Sequence, residues 1–247
     1  MDAEAAPEID LEEAKAEARA ELWRRGDLAH LLLEGGQESA YEKFHAWREA
    51  NPGHSGPCVL HCHRGLGKTA LMCLLGLEEA LRYPGALVRI GGPTLKEIRG
   101  AAEPSLRMFF HQRPADIEIE EIPDGYRIFN PETMGPGQSS EITLFGCREL
   151  GDAERGLRAT WVGLDEVRNL EDAEYVVESV LRPMFAHRLG SKRRFMLLSG
   201  TSPDYEAHAF WKYVDQAQLV DALAEIPFTE NEDFRHRSKA ELESIFG

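Results

Sequence analysis

Apolar positions recur along the chain in two rhythms, a period near 3.6 that marks helices packed on one side and short unbroken runs that mark buried strands. Residues 8 to 24 fit neither core rhythm: acids alternate with alanine, and basic residues follow glutamates at three or four positions, as in an exposed helix held by its own ion pairs. After Gly35-Gly36, "QESAYEKFHAWREA" spaces Tyr41, Phe44 and Trp47 as an amphipathic helix, and "NPGHSGP" breaks it. "CVLHCH" (58–63) is a short buried strand, and Thr69 to Tyr83 is a helix apolar on most of its circumference, stopped by Pro84-Gly85. "ALVRIGGPT" (86–94) predicts a second buried strand, and "LKEIRGAAEPSLRMFF" a helix interrupted near Gly100 and Pro104.

Between 117 and 147, "IEIEEI", "GYRIFN" and "SEITLFGC" alternate apolar and polar residues with turn residues between them, which predicts an antiparallel hairpin insertion. "ATWVGLDEV" (159–167) and "RRFMLLSGTSP" (193–203) are a third and a fourth buried strand, with a helix expected from Ala207 and a turn and short helix in the tail. Strands alternating with helices predict an α/β fold with a mainly parallel sheet and helices on both faces. In such sheets ligands bind beyond the carboxyl ends of the strands.

Composition changes the picture only at its margins. The chain has 247 residues, 43% hydrophobic and 29% charged, which is enough to bury a sizeable core. No apolar run approaches the roughly 18 residues of a membrane span, and the N-terminus lacks the basic-then-apolar layout of a secretion signal. An intracellular protein is expected, with its four cysteines (Cys58, Cys62, Cys73, Cys147) as thiols. The net charge of −15 argues against a general positive surface for nucleic acid; the best local candidate is "SKRRF" (191–195), with Arg182 and Arg188 upstream.

The chemistry gathers at the strand ends. "HCHRGLGKT" (61–69) ends as a phosphate-binding loop, G-x-x-x-x-G-K-[ST], but has Cys62 where the first glycine belongs. Its strand–loop–helix setting is the one such a loop requires. Backbone N–H groups of Arg64, Gly65, Leu66, Gly67 and Lys68 would cradle phosphate oxygens, with the glycines permitting positive φ. Lys68 would reach the β- and γ-phosphates, Thr69 would place its hydroxyl on Mg²⁺, and Ala70 continues the nucleotide-binding set into the helix. Asp165, ending an apolar strand, would hold the metal's water shell, and Glu166 would act as general base on the attacking water. Cys58, His61, Cys62 and His63 lack the paired spacing of a zinc site.

These motifs together resemble the ATPase domain of a large terminase subunit, the DNA-packaging motor of tailed bacteriophages, over about residues 30 to 235. That family carries an "R-x-x-G-K-[ST]" entry to its loop, matched by Arg64 to Thr69, which accounts for Cys62. "GGQESAYEKF" resembles the segment with an adenine-recognising glutamine, here Gln37. "GGPT" (91–94) resembles the family's "APT" strand end, "ERGLRATWVGLDE" its approach to the acidic pair, and "LLSGTSPDYEAHAFW" its coupling motif, here Ser199, Gly200, Thr201, Ser202 and Pro203.

The resemblance implies an ASCE-type P-loop NTPase that hydrolyses ATP with Mg²⁺ to drive double-stranded DNA into a procapsid. It implies a homo-oligomeric ring, a portal protein and a small terminase subunit as partners, and the host cytoplasm as location, with no membrane. It also implies a phosphate contact in cis from Arg64 and an arginine finger given to a neighbouring subunit, matched best by Arg155, with Arg148 and Arg158 as alternatives. The organisation expected is an acidic helical arm (1–34), the ATPase domain (35–235), and a tail or linker (236–247) where the family's nuclease domain would follow; DNA cleavage is not expected. A helicase-like motor and a nucleotide-binding switch module are the competing readings.

Overall fold

Pro57–Cys62 forms strand β1 because six nearly continuous apolar residues satisfy both faces of a buried strand at once. The computed structural model describes residues 10–32, 36–54, 56–148, 157–185, 194–203 and 205–226. Ahead of β1 lie α1 (Leu11–Arg25) and α2 (Gly36–Ala50); after it come α3 (Lys68–Arg82), β2 (Leu87–Gly92) and α4 (Leu95–Phe110). Strands β3 (Glu118–Ile122), β4 (Gly125–Phe129), β5 (Ser140–Gly146) and β6 (Trp161–Leu164) follow. Helical turns α5 (Ala173–Tyr175) and α6 (Arg182–Met184) flank a π-helical stretch, Val176–Leu181, before β7 (Phe195–Gly200), α7 (Ala209–Leu219) and β8 (Leu223–Ile226).

All eight strands join one sheet in the order β3-β4-β5-β2-β6-β7-β1-β8. Every pair from β5 to β8 is parallel. Strand β7 sits between β1 and β6, with Leu60 beside Ser199 and Leu198 beside Leu164. The ends of the loop-bearing strand and of the acidic strand are thereby held one strand apart. One strand, β7, therefore stands between the loop-bearing strand and the acidic strand.

Helix α3 covers one face, where Leu71, Met72, Cys73, Leu74 and Leu77 are fully buried; each such leucine contributes about 1.5–3 kcal/mol. On this face a Cβ on Gly163 would meet Met72 Sδ at 2.6 Å, and on the other a Cβ on Gly200 would meet Phe210 of α7 at 3.2 Å. Helices therefore lie on both faces.

Two expectations are corrected, and two elements were not expected. Helix α4 runs unbroken through Gly100 and Pro104: the carbonyl that a proline ring crowds belongs here to Gly100, a Cβ there would meet nothing within 4 Å, and burial of Ile98, Ala102, Leu106 and Phe109 holds the helix straight through. The expected antiparallel insertion is present, β3 pairing with β4 and β4 with β5, and β5 joins it to the main sheet by pairing parallel with β2. Residues 173–184 are helical and Leu223–Ile226 is a strand, neither of them expected. Helix α7 begins at Ala209, capped by His208, whose Nδ1 accepts from the Phe210 N–H at 3.0 Å.

Helix α1 is laced by ion pairs such as Arg25–Glu21 (2.6 Å) and Arg24–Glu17 (2.9 Å) and ends on Gly26. Its last turn nevertheless enters the core: Trp23 and Leu28 are buried, and Asn130 Nδ2 donates to the carbonyls of Arg24 (2.7 Å) and Leu81 (3.0 Å). Residues 1–9, 186–193 and 227–247 lie outside the described residues, and with them Arg188, most of "SKRRF" and the predicted tail helix. No described helix is long and apolar enough to cross a membrane.

Candidate functional site

The loop between β1 and α3 turns on two glycines in the left-handed region, Gly65 (φ 79°) and Gly67 (φ 70°). A side chain at 67 would strain the backbone and collide with Gln37, whose Nε2 would lie 1.9 Å from the added Cβ. No side chain caps α3, so its first N–H groups face the loop, the arrangement that attracts an anion. Arg64 and Gly65 are exposed, Leu66 and Lys68 are buried, and Thr69 and Ala70 are half-buried in the first turn.

The acids meet this loop. Thr69 Oγ1 donates to Asp165 Oδ2 at 2.5 Å, and Ser199 Oγ donates to Asp165 Oδ1. Asp165 is only 4% exposed, and its own N–H donates to the Gly91 carbonyl at 2.8 Å. Lys68 Nζ lies 3.4 Å from Glu166 Oε1 and 3.3 Å from the His63 carbonyl. The phosphate loop, the acidic pair and the end of β7 thus converge at the carboxyl edge of the sheet.

Glu166 carries strain. Its φ of 50° is left-handed, uncommon for a residue other than glycine, and such outliers persist where surrounding structure over-determines them. Its Oε2 is buried without a hydrogen-bond partner among the described residues, as are Arg168 Nε and Thr201 Oγ1. Buried polar atoms are rarely left so. With a left-handed glycine loop beside them, they fit a site shaped for an anion and its water.

A metal fits the same place. Thr69 and Asp165 offer the hard oxygens that Mg²⁺ takes, and they already share a proton there.

Gln37 is 6% exposed, and its Nε2 donates to the carbonyls of Leu66 (3.1 Å) and Gly67 (3.3 Å). In this structure it braces the loop from below as the second residue of α2. Ser202 and Pro203 continue from β7, with Gly200 packed under Phe210. Of the three candidate fingers, Arg155 lies outside the described residues. Arg148 sits at the carboxyl edge with the site, its N–H donating to the Pro93 carbonyl at 3.0 Å. Arg158 precedes β6 and lies at the opposite edge of the sheet.

Residues to which the sequence assigns no role here also touch this region. His61 Nε2 is 3.1 Å from Ser202 Oγ and its Nδ1 is 3.0 Å from Glu225 Oε1. Arg168 reaches Glu166 Oε2 (3.8 Å from Nε) and donates from a terminal nitrogen to the Ser202 carbonyl (3.2 Å). The only sequence signal for His61 was a polar residue inside an apolar strand, and Glu225 belongs to the unexpected β8. A cavity of about 330 Å³ opens beside the loop, lined by His61, Cys62, His63, Ser202, Glu225 and Ile226. Burial, then the charges of His61 and Lys68, holds the His63 imidazole below its ordinary range. Burial pushes the Cys62 thiol up to about 12 against the pull of Lys68.

Among solved structures, the chain is similar in fold to large terminases. Over 86% of the chain, with a TM-score of 0.59 and 16% identity, it is similar to the large terminase of a thermophilic bacteriophage solved in complex with ADP. Another crystal form of that phage protein matches 83% of the chain at a TM-score of 0.57 and 18% identity, and the HK97 bacteriophage large terminase matches 82% at 0.55 and 15%. The chain spans about half the length of the thermophilic phage's protein (48–49%) and 40% of the HK97 one. No protein-family model matches the chain, and no curated protein matches it by sequence.

Proposed function

We propose that this chain is an ATP-hydrolysing motor domain of the large-terminase kind, with residues 35–235 as the ATPase unit. The observation that carries the reading is the convergence of Lys68, Thr69, Asp165 and Glu166 at the carboxyl edge of a sheet whose strand order separates β1 from β6 by one strand. The fold shared with a terminase solved with ADP supports a nucleotide as the ligand.

Phosphoryl transfer to water needs positioning and charge stabilisation more than covalent help. The N–H groups of Arg64 to Lys68 and the α3 terminus bind the phosphates, and Ala70 completes the turn. Lys68 moves from Glu166 to the β- and γ-phosphates, which frees Glu166 Oε1 to accept a proton from the attacking water. Thr69 and Asp165 would hold Mg²⁺, which when bound would supply charge neutralisation for the phosphates. Arg64, exposed at the loop, contacts the phosphates in cis. Ser199, Thr201 and Ser202 sense the γ-phosphate or its water.

Gln37 sets the loop's shape and recognises the base edge through its amide. Arg155 is offered to a neighbouring copy in a homo-oligomeric ring; a finger of this kind contributes about 10³–10⁵ in rate, so a dilute sample turns over slowly. The work of the ring is double-stranded DNA translocation into a procapsid in the host cytoplasm, with portal protein and small terminase subunit as partners.

The test is a pair of variants. Glu166→Gln retains binding of a fluorescent ATP analogue and loses hydrolysis, whereas Lys68→Ala loses both. Hydrolysis by Glu166→Gln at the wild-type rate would remove the assignment.

A further inference from the structure

Glu166 Oε2 and Arg168 Nε are both buried, both lack a hydrogen-bond partner among the described residues, and face each other at 3.8 Å. That gap exceeds a hydrogen bond by less than an ångström, so a small shift of either group closes it. The same guanidinium donates to the Ser202 carbonyl at 3.2 Å. Ser202 is held on its other side by His61, and the tautomer follows from the partners. Glu225 only accepts, so Nδ1 carries the proton and donates to it (3.0 Å), and Nε2 accepts a hydrogen bond from the Ser202 hydroxyl (3.1 Å). The His61 ring in turn lies edge-on to Trp211 (5.4 Å between centroids) and Phe210 (6.0 Å), both on α7.

These contacts form one polar chain, Glu166 to Arg168 to Ser202 to His61 to Glu225. It crosses the carboxyl ends of β6, β7, β1 and β8 in their spatial order. We propose that Arg168 and His61 are positioning residues of a relay that carries the state of Glu166 to Ser202, β8 and helix α7. The proposal rests on Glu166 being the general base. Phosphate oxygens compete with Glu166 for Lys68, and a Glu166 released by Lys68 turns to Arg168. The guanidinium cannot follow Glu166 without changing its bond to the Ser202 carbonyl, and Ser202 cannot move without moving His61 against Trp211. Neither Arg168 nor His61 touches the reacting phosphate; each acts through its neighbour.

The relay is tested on the full chain by intrinsic fluorescence and steady-state kinetics with Mg-ATP and its slowly hydrolysed thio analogue. Trp23, Trp47 and Trp161 are buried in the core away from this chain of contacts, so analogue binding changes emission through Trp211, and Trp211→Phe identifies that signal. Arg168→Gln and His61→Gln each keep analogue affinity within about threefold, lose the Trp211 signal and lower kcat about tenfold with little change in KM, as expected when an interaction acts only beyond binding. On one relay the double variant loses little more than either single variant. Arg168→Lys, which keeps the charge but not the fork, retains Glu166 contact and still loses the signal.

Arg168→Gln with wild-type kcat and a wild-type Trp211 response would overturn the relay, as would fully additive losses in the double variant. If Glu166→Gln still abolishes turnover in that case, the hydrolase reading stands without it. A wild-type chain that neither binds nor hydrolyses ATP overturns both.

Discussion

Helix α3 carries buried charge at both of its ends, and the two ends treat it differently. At the far end, Glu78 is 1% exposed and accepts from the Leu28 N–H (2.7 Å) and the Tyr41 hydroxyl (2.7 Å), with His45 at 2.8 Å and Arg82 at 3.5 Å. Burial and the Glu78 charge push the Tyr41 phenol up, so it remains a donor. At the near end, Glu166 sits on a left-handed backbone, one oxygen paired with Lys68 and the other facing Arg168 at 3.8 Å without a hydrogen bond among the described residues. A saturated carboxylate fastens α1, α2 and α3 together; an unsaturated one on a strained backbone is equipped to change partners.

The contrast breaks most visibly in opposite observables. Glu166→Gln lowers ATP turnover about 10²–10⁴-fold, the usual reach of a general base, while urea denaturation finds folding stability within about 1 kcal/mol of wild type. Glu78→Ala inverts this: removing one member of a buried charged cluster costs about 3–5 kcal/mol, measured by the same denaturation, with turnover per folded molecule retained. Equal stability losses in the two variants would dissolve the distinction.

Gly67→Ala sharpens the picture at the loop. It forces a left-handed alanine against Gln37 and costs about 1–3 kcal/mol, with weaker binding of a fluorescent nucleotide as the sign that loop shape matters. The smallest effect concerns thiols. Burial raises Cys58, Cys62 and Cys73, so none is alkylated by iodoacetamide in the folded chain and all are in denaturant. The sign for stability follows: the unfolded thiols ionise near about 8.5 while the folded ones stay protonated, so these groups lower stability as pH rises above that value.

The legible parts of this molecule are those written in local pattern. Strands β1, β2, β6 and β7 show as mainly apolar runs, and the loop and acidic pair as short motifs, because burial and phosphate binding each demand particular residues at fixed spacing. Strand β8 stayed hidden because "LAEI" is four residues long and gains its identity only by lying beside β1. The continuity of α4 through Pro104 stayed hidden for a related reason, since tertiary burial decides against local propensity there. His61 and Arg168 are joined to the site by partners about 140 and 34 positions away, a distance no pattern in one chain spells out. The brace that Gln37 places under Leu66 and Gly67 likewise depends on how α2 packs.

The most direct test is a crystal structure of the chain with Mg²⁺ and a non-hydrolysable ATP analogue. The account predicts the triphosphate in the loop from Cys62 to Thr69, the metal taken by Thr69 and Asp165, and Glu166 released from Lys68, with its Oε1 towards the γ-phosphate and its Oε2 drawn to Arg168. A nucleotide bound elsewhere, or one in the loop with Lys68 still paired to Glu166, would contradict it.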